Sequence, residues 1–445
     1  MANEKGAKTI FVLVILLYRI LYPLFFIVLS PYYFKRMVKR GGYGKNFFYR
    51  FGLWPSLPKK KNKKRIWIQA VSVGELSSIH PLLESLINQS DIEIVLSGTT
   101  STGLRIAQKK YSEQILKLGS FPLDWFPFSS LAWSKIQPDL AICVDSELWP
   151  EHMNQAKKRR VPFYIVNGRL SDRSFKRLLS IGSLRKILIP ENLNVLASSK
   201  KQRDRWIKVG ANPENCASFG NIKIDMAPIN VPEDSEKAFL KKELGFAESS
   251  LVVAGVSTWP GEEKLLLESL TQLEKELPDA RLLLIPRHAE RRRDVANQIK
   301  SSSFSFSQRT KTRNKPIKCE VYLADTTGEL IKLIRCADIA FLGKTLPPRH
   351  EGQNPVEPVS TGLPIVLGPS CTNFEEISSE LIGCGSAIQG QTESEIKKII
   401  YDLSTNEGLR KKMSEAGKMW RLEKGSPTQK TLEKLNKVLL DLQSN

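Results

Sequence analysis

The chain is poor in sulfur and imidazole. Six cysteines and four histidines are scattered over 445 residues. Cys143, Cys216, Cys319, Cys336, Cys371 and Cys384 form no CxxC pair, so neither a zinc ribbon nor a dithiol redox motif is present. The thiols read as free, in a reducing compartment. There is no glycine-rich loop with a Walker lysine, no GxGxxG and no DxD triplet. No internal repeat or low-complexity stretch occurs beyond the lysines of Lys59–Lys64. Negative charge is missing from one region in particular. Between Lys35 and Arg65 there are twelve Lys or Arg and no Asp or Glu.

What is there is a folded composition, 41% apolar and 25% charged, with a net charge of +21. The length exceeds one ordinary core and implies two domains. The charge implies an acidic partner. Thr9 to Phe34 is an apolar run about long enough to cross a hydrocarbon core, interrupted by Arg19 and Pro23. Tyr32, Tyr33 and Phe34 stand where a signal peptide would carry small residues, so the run reads as an uncleaved anchor. The basic flank after it places the larger part of the chain on the cytoplasmic side. Tyr43, Phe47, Phe48, Tyr49, Phe51 and Trp54 mix aromatics with these bases, as suits an anionic membrane surface. A nucleic-acid surface would not need the preceding apolar run, and none is predicted as a partner.

From Arg65 onward, apolar runs alternate with amphipathic stretches, the pattern of βαβ units in a parallel sheet. Strands are expected at Ile66–Val71, Ile92–Leu96, Leu140–Val144, Phe163–Val166 and Val195–Ala197. Two prolines between Met226 and Pro232 read as a linker. A second alternation begins at Leu251 and continues through Arg281–Ile285, Glu320–Leu323, Ile339–Leu342 and Pro364–Leu367. The expected division is an anchor over 1–34, a basic segment over 35–64, and a Rossmann-like domain over 65–226. A linker over 227–236, a second Rossmann-like domain over 237–426 and a helix over 427–445 able to cross back complete it. The α/β class is that of a GT-B type fold, two Rossmann-like domains facing a cleft. Periodicity alone allows a periplasmic-binding-like or epimerase fold equally.

Polar groups collect at the ends of the predicted strands, where open α/β sheets bind ligands. Ser72-Val-Gly-Glu75 places Gly74 at a sharp turn and Glu75 at a helix start. Thr99 and Thr100 follow the second strand; they suit a sugar or phosphate, or an ordinary helix cap. Asp145-Ser-Glu147 follows the third, and Asn167-Gly-Arg169 the next. Gly220 to Asp225 adds a polar turn near the linker. In the second half, Ser257 and Thr258 lie where a helix N-terminus would receive phosphate. Arg287 and His288 follow a strand, Gly328 and Glu329 open a helix, and Asn354 and Glu357 share a helix start. A carboxylate there can accept both hydroxyls of a ribose. Each pattern alone is as readily a turn or a cap.

Taken in order, WIQAVSVGE, SGTTSTG, DSELWP, NGRLSDRS, GNIKID, LIPRHAERR, GELIKL, ADIAFLGKTL and GQNPVEP resemble the 3-deoxy-D-manno-octulosonic acid (Kdo) transferases over nearly the whole chain. The resemblance implies an inverting transferase taking Kdo from CMP-Kdo to a lipid A precursor at the inner membrane. It implies Glu75 as general base, Glu147 and Arg169 as acceptor-side or cleft residues, and Arg287, His288, Asn354 and Glu357 as donor-nucleotide residues. By their places at strand and helix ends, Ser72, Gly74, Thr99, Thr100 and Asn167 are expected acceptor-side or in the cleft, and Ser257, Thr258, Gly328 and Glu329 at the donor. No cofactor and no metal are expected, since a monophosphate leaving group asks less of a cation than a diphosphate. The chain departs from the family pattern at Gln69 and Trp259, where His is usual, at Lys344 and Glu351, where Gly is usual, and at Gln353, again for His. These departures bear on which sugar is transferred. A related enzyme with another nucleotide sugar or acceptor, or a sugar-nucleotide epimerase, is the alternative.

Overall fold

The structure is a computed structural model that describes residues 15–24, 26–32, 35, 44–70, 72–182, 185–312 and 316–442. The first residues of the apolar run and all of 36–43 lie outside the described residues. The chain divides into two compact units. One comprises Met1–Met226 with Ser426–Asn445; the other is Ala227–Gly425.

The first unit is built on a seven-stranded sheet: β1 (Lys64–Gln69), β2 (Ile92–Gly98), β3 (Lys117–Ser120), β4 (Leu140–Val144), β5 (Phe163–Gly168), β6 (Leu193–Ala197) and β7 (Cys216–Ser218). The order is β3-β2-β1-β4-β5-β6-β7, and every pairing is parallel. The chain winds outward from β1 in one direction and from β4 in the other, so the switch point lies between these two strands. Alternation sorts the side chains. Ile66, Ile68, Ile94, Leu96 and Ile142 pack on one face, and Trp67, Val95, Ala141, Cys143 and Ile165 on the other. Helices cover both faces, which is why the inner strands read as continuous apolar runs.

Six helices of this unit are used below. They are α1 (Ile15–Tyr32), α2 (Val73–Ser78), α3 (His80–Ile87), α4 (Ser101–Tyr111) and α5 (Phe126–Ile136), with α6 (Pro150–Lys158) following β4. The single helix expected after β1 is broken at Ile79, because Pro81 cannot donate within a continuing turn and instead starts α3. The helix Pro427–Asp441 packs in this unit, its Leu435 and Leu439 entering the same core as Ile68 and Leu83.

The second unit repeats the plan. Its strands are β8 (Leu251–Thr258), β9 (Ala280–Pro286), β10 (Phe306–Gln308), β11 (Val321–Leu323), β12 (Ile339–Leu342), β13 (Ile365–Leu367) and β14 (Ala387–Gln389). Their order is β10-β11-β9-β8-β12-β13-β14, again all parallel. The switch point lies between β8 and β12.

Four strands were not expected: β3, β7, β10 and β14. They are the four sheet edges. Each is three or four residues long and carries polar or small residues, as in Lys-Leu-Gly-Ser and Cys-Ala-Ser. An edge strand is supported from one side only and needs no long apolar run.

Leu435 is fully buried in a core assembled from sequence-distant parts. Leu435→Ala is expected to lower the stability of the first unit by about 3 kcal/mol, read as a shifted midpoint in urea unfolding.

Candidate active site

In the first unit the site grows from the ends of β1, β4 and β5. Ser72 is the N-cap of α2, and its hydroxyl accepts from the Glu75 backbone N–H at 3.3 Å. That bond orients the first turn, on which Glu75 stands half-buried. Gly74 lies inside α2 rather than at a turn, a correction to the expected sharp bend. It is exposed, and a Cβ there would meet nothing nearer than Ser72 Oγ at 3.8 Å, so space lies open beside Glu75. Thr100 is the cap of α4, its Oγ1 accepting from Gly103 N–H at 3.2 Å. Its hydroxyl is used locally. Thr99, half-buried, precedes it.

Asp145 is the joint of the site. It holds a left-handed backbone, φ +61, immediately after β4. Its carboxylate accepts from Asn167 Nδ2 at 2.7 Å and from Arg169 Nη2 at 3.0 Å. Asn167 is also left-handed, φ +59, and its Oδ1 accepts from the Ile222 backbone N–H at 3.2 Å. Two strained residues at adjacent strand ends are thus cross-braced, and strain of this kind concentrates at functional sites. Sequence reasoning gave Asp145 no role of its own.

The brace presents Glu147. Burial pushes its carboxyl up to about 8, with repulsion from Glu75 next in weight and from Asp145 also adding. Glu75 and Glu147 are therefore close enough to repel, and a proton on one favours charge on the other. Lys223, from the Gly220–Asp225 turn, completes the group. It is buried, and its ammonium is pushed down first by burial and then by Arg169, while Asp145 and Glu75 pull it up. Lys223 was not singled out from sequence. Nothing local marks it, since it lies between two buried isoleucines on a short 3-10 helix.

Gln69 is buried under this site. Its Oε1 accepts from Ser97 Oγ at 2.7 Å, and Ser97 Oγ accepts from Trp67 Nε1 at 2.9 Å. It holds β1 to β2 and has no exposed surface to offer a ligand.

In the second unit the loops after β8 and β12 meet. Gly343 allows this: a Cβ there would stand 2.2 Å from the Ser257 carbonyl oxygen. Ser257, φ +54, and Lys344, φ +64, are both left-handed. Buried Glu262 ties the two loops together, accepting from the backbone N–H of Trp259 at 2.8 Å and of Thr345 at 3.0 Å. Burial pushes its carboxyl up to about 7 against the pull of those donors.

Two predicted donor-side residues are committed elsewhere. Thr258 Oγ1 donates to Glu263 Oε1 at 2.8 Å, and Arg291 pairs with the same buried carboxylate at 2.8 Å. Thr258 thus faces inward. Glu329 accepts from Arg309 Nη2 at 2.8 Å and from Thr326, which makes it a structural anion beside Gly328. Arg287 and His288 are exposed after β9. Burial raises the Glu357 carboxyl, while Arg287 and a bond to Asn354 lower it, so these three residues converge. Asn354 also accepts from Val356 N–H at 3.1 Å.

The departures Trp259, Lys344, Glu351 and Gln353 form one cluster. Lys344 Nζ lies 4.8 Å and the Arg349 guanidinium 4.7 Å from the Trp259 ring centroid. The His288 ring meets the same indole edge-on at 5.1 Å. Lys344 pairs with Glu351 at 3.3 Å, holding that carboxyl low together with backbone donors, and Gln353 N–H donates to the Gly343 carbonyl at 3.1 Å. Among the described residues no group of three or more His, Cys, Asp or Glu is placed to hold a metal ion.

Two doubly wound domains, each with polar residues at its switch point, make up a fold of the GT-B type, and the family models give its class as glycosyltransferase. The family model of 3-deoxy-D-manno-octulosonic-acid transferase (kdotransferase) matches residues 45–226, and that of glycosyl transferases group 1 matches 243–420. The 3-deoxy-D-manno-octulosonic acid transferase of Haemophilus influenzae is 29% identical over 417 residues, 93% of either chain. Residues 45–226 thus match the model of that family, and nearly the whole chain is similar to a 3-deoxy-D-manno-octulosonic acid transferase. Among solved structures, Anabaena Alr3699/HepE with UDP is similar at a TM-score of 0.53 and 14% identity, over 84% of this chain and all of that one. The UDP-GlcNAc 2-epimerase of Neisseria meningitidis, bound to UDP-GlcNAc, is similar at 0.53 and 12%, over 85% of this chain and all of that one. At such identities the likeness is one of fold alone.

A carboxyl raised by folding binds its proton more tightly in the folded state. Stability is then full below the ordinary carboxylate range and is lost as pH rises toward about 8. Glu147→Gln is expected to flatten part of that fall, which thermal unfolding across this pH window measures.

Proposed function

We propose that the protein transfers Kdo from CMP-Kdo to a phosphorylated lipid A precursor at the cytoplasmic face of the inner membrane, inverting the anomeric carbon. The observation that carries this reading is the coupled Glu75–Glu147 pair at the switch point of the domain matched by the Kdo transferase family. Glu75 is the general base. It takes the proton of an acceptor hydroxyl as that oxygen bonds to the anomeric carbon. The bond from that carbon to the phosphate oxygen of CMP breaks, and the electron pair leaves with CMP. Protonated Glu147 donates a hydrogen bond in the same space and keeps a second negative charge away from Glu75. Arg169 and Lys223 supply positive charge for a phosphorylated acceptor.

On the donor side, Arg287 neutralises charge growing on the leaving phosphate. Glu357, steadied by Asn354, accepts the ribose hydroxyls. Trp259 with Lys344 and Arg349 forms a cationic wall beside His288 and contributes to selection of the sugar acid. The reaction needs no divalent ion, because the leaving group is a monophosphate paired with protein cations. The fold is shared with an epimerase, but a basic segment next to an apolar helix gives a lipid-linked acceptor a reason that a soluble sugar nucleotide would not.

Purified protein with CMP-Kdo and lipid A precursor should release CMP and give an acceptor heavier by Kdo. No addition across a range of detergents would overturn this donor and acceptor. Glu75→Gln should reduce turnover by about 10²-fold or more; near-normal turnover would remove it as the base. Chelator should leave the rate unchanged, and activity restored only by a divalent ion would refute metal independence. Trp259→Ala should raise KM for the sugar nucleotide severalfold while kcat changes little, read from initial rates.

A further inference from the structure

The helix α1 carries an arginine in the fifth place of an otherwise apolar stretch. In the structure that arginine is engaged by the globular part of the first unit. Arg19 Nε and Nη2 donate to the two oxygens of Glu151, each at 2.9 Å. The Glu151 side chain is fully buried and also accepts from Asn154 Nδ2 at 3.2 Å and Gln155 Nε2 at 2.7 Å. Tyr18 Oη donates to Asp124 Oδ2 at 2.6 Å. Asp124, itself buried, accepts from the backbone N–H of Glu151 and His152 and so holds the first turn of α6. Trp125 Nε1 donates to the Arg19 carbonyl at 2.8 Å, and the Arg19 guanidinium lies 4.2 Å from the Phe126 ring centroid. A bidentate fork to a buried carboxylate is the strong form of such a bond.

This contact divides the apolar run. Nine residues, 9–17, precede the pinned pair, and fifteen, 20–34, follow it. As helix these measure about 13 Å and about 22 Å. Neither alone reaches the hydrocarbon thickness of about 30 Å. The chain after the helix is also held by the same unit. Arg50 Nη1 donates to the Phe121 carbonyl at 2.9 Å, and Phe51 meets Phe128 edge-on at 5.3 Å. A helix that crossed the bilayer ahead of this unit would carry Tyr18 and Arg19 into the hydrocarbon, away from Asp124 and Glu151.

The rest of α1 is uncovered: Ile20, Leu24, Ile27 and Val28 are all more than half exposed. From Trp125, which bonds the Arg19 carbonyl, the rings Trp125, Phe128, Phe51 and Phe47 form a continuous aromatic row, each neighbour within 5.4 Å, with Phe48 and Phe126 exposed at its border.

We infer that Arg19–Glu151 and Tyr18–Asp124 are a latch that lays α1 along the first unit, so that helix and aromatic row enter one leaflet of the bilayer together and α1 does not span it. The occupant of this face is a lipid surface. The chain before and after α1 then lies on the same side of the membrane as both globular units. This rests on the membrane reading proposed above, and it chooses the flat helix where the apolar run alone leaves spanning and lying flat both open.

The test uses the full chain in sealed membrane vesicles. Cys384 is exposed while the other five cysteines are buried, so it reports the face of the globular units to a membrane-impermeant maleimide. With Asn3→Cys added, both thiols should be modified from the same face. Modification of Asn3→Cys only from the opposite face would overturn the latch and leave membrane association standing. Recovery of the protein without detergent in the soluble fraction would overturn membrane seating itself. In parallel, Arg19→Met should lower the unfolding midpoint, and Arg19→Met with Glu151→Gln should restore most of it, because the buried charge is gone. An unchanged midpoint in Arg19→Met would also refute the latch.

Discussion

The carboxylate of Asp145 binds Asn167 and Arg169 across the ends of two adjacent strands, and the candidate acceptor site hangs from that joint. Without it, β4 and β5 would end in loops with independent conformations. With it, two left-handed residues are locked, Arg169 is aimed, and Glu147 is delivered two residues later. Asn167 extends the brace to the turn bearing Lys223. The constraint is electrostatic at its centre and steric at its edges: a residue with a side chain adopts positive φ only when its surroundings over-determine it. The parallel sheet does the remaining work, by ending all its strands on one edge.

The two carboxylates beside this joint are chemically alike and placed differently. Both are half-buried; Glu75 rises from a capped helix start, whereas at Glu147 burial and the repulsion of Glu75 raise the carboxyl. One type of residue is thereby given two environments, by burial together with the neighbouring charges. The second domain treats its acids otherwise. Glu262, Glu263 and Glu329 are consumed by backbone and arginine partners that fix the loops. Glu357 is placed differently, with Arg287 and Asn354 acting on its carboxyl.

Much of this was legible in the sequence, in a pattern that has a physical cause. The ten inner strands are buried on both faces, so each announces itself as an apolar run. The four edge strands are not, and each was missed. Glu75, Glu147 and Arg169 were visible because they follow such runs directly. Lys223 was not, because burial between Ile222 and Ile224 is a tertiary fact. Thr258 and Glu329 look like ligand-facing groups in sequence, and only their partners Glu263 and Arg309 reveal otherwise. Arg19 and Glu151 are 132 residues apart, and neither predicts the other. The departures Trp259, Lys344, Glu351 and Gln353 span nearly a hundred positions, yet they form a single neighbourhood once the loops meet at Gly343.

The helix Pro427–Asp441 belongs to the first unit although the second is encoded between them. This orders events during synthesis. The second unit is continuous in sequence and is available to fold as soon as it leaves the ribosome. The first emerges earlier but lacks Leu435 and Leu439, which finish its core. Until they arrive, the groove that receives this helix stays open, with apolar surface unburied while some two hundred residues are still being made. The unit that begins first is therefore the one that closes last, and its exposed interval is where a nascent-chain chaperone would be needed.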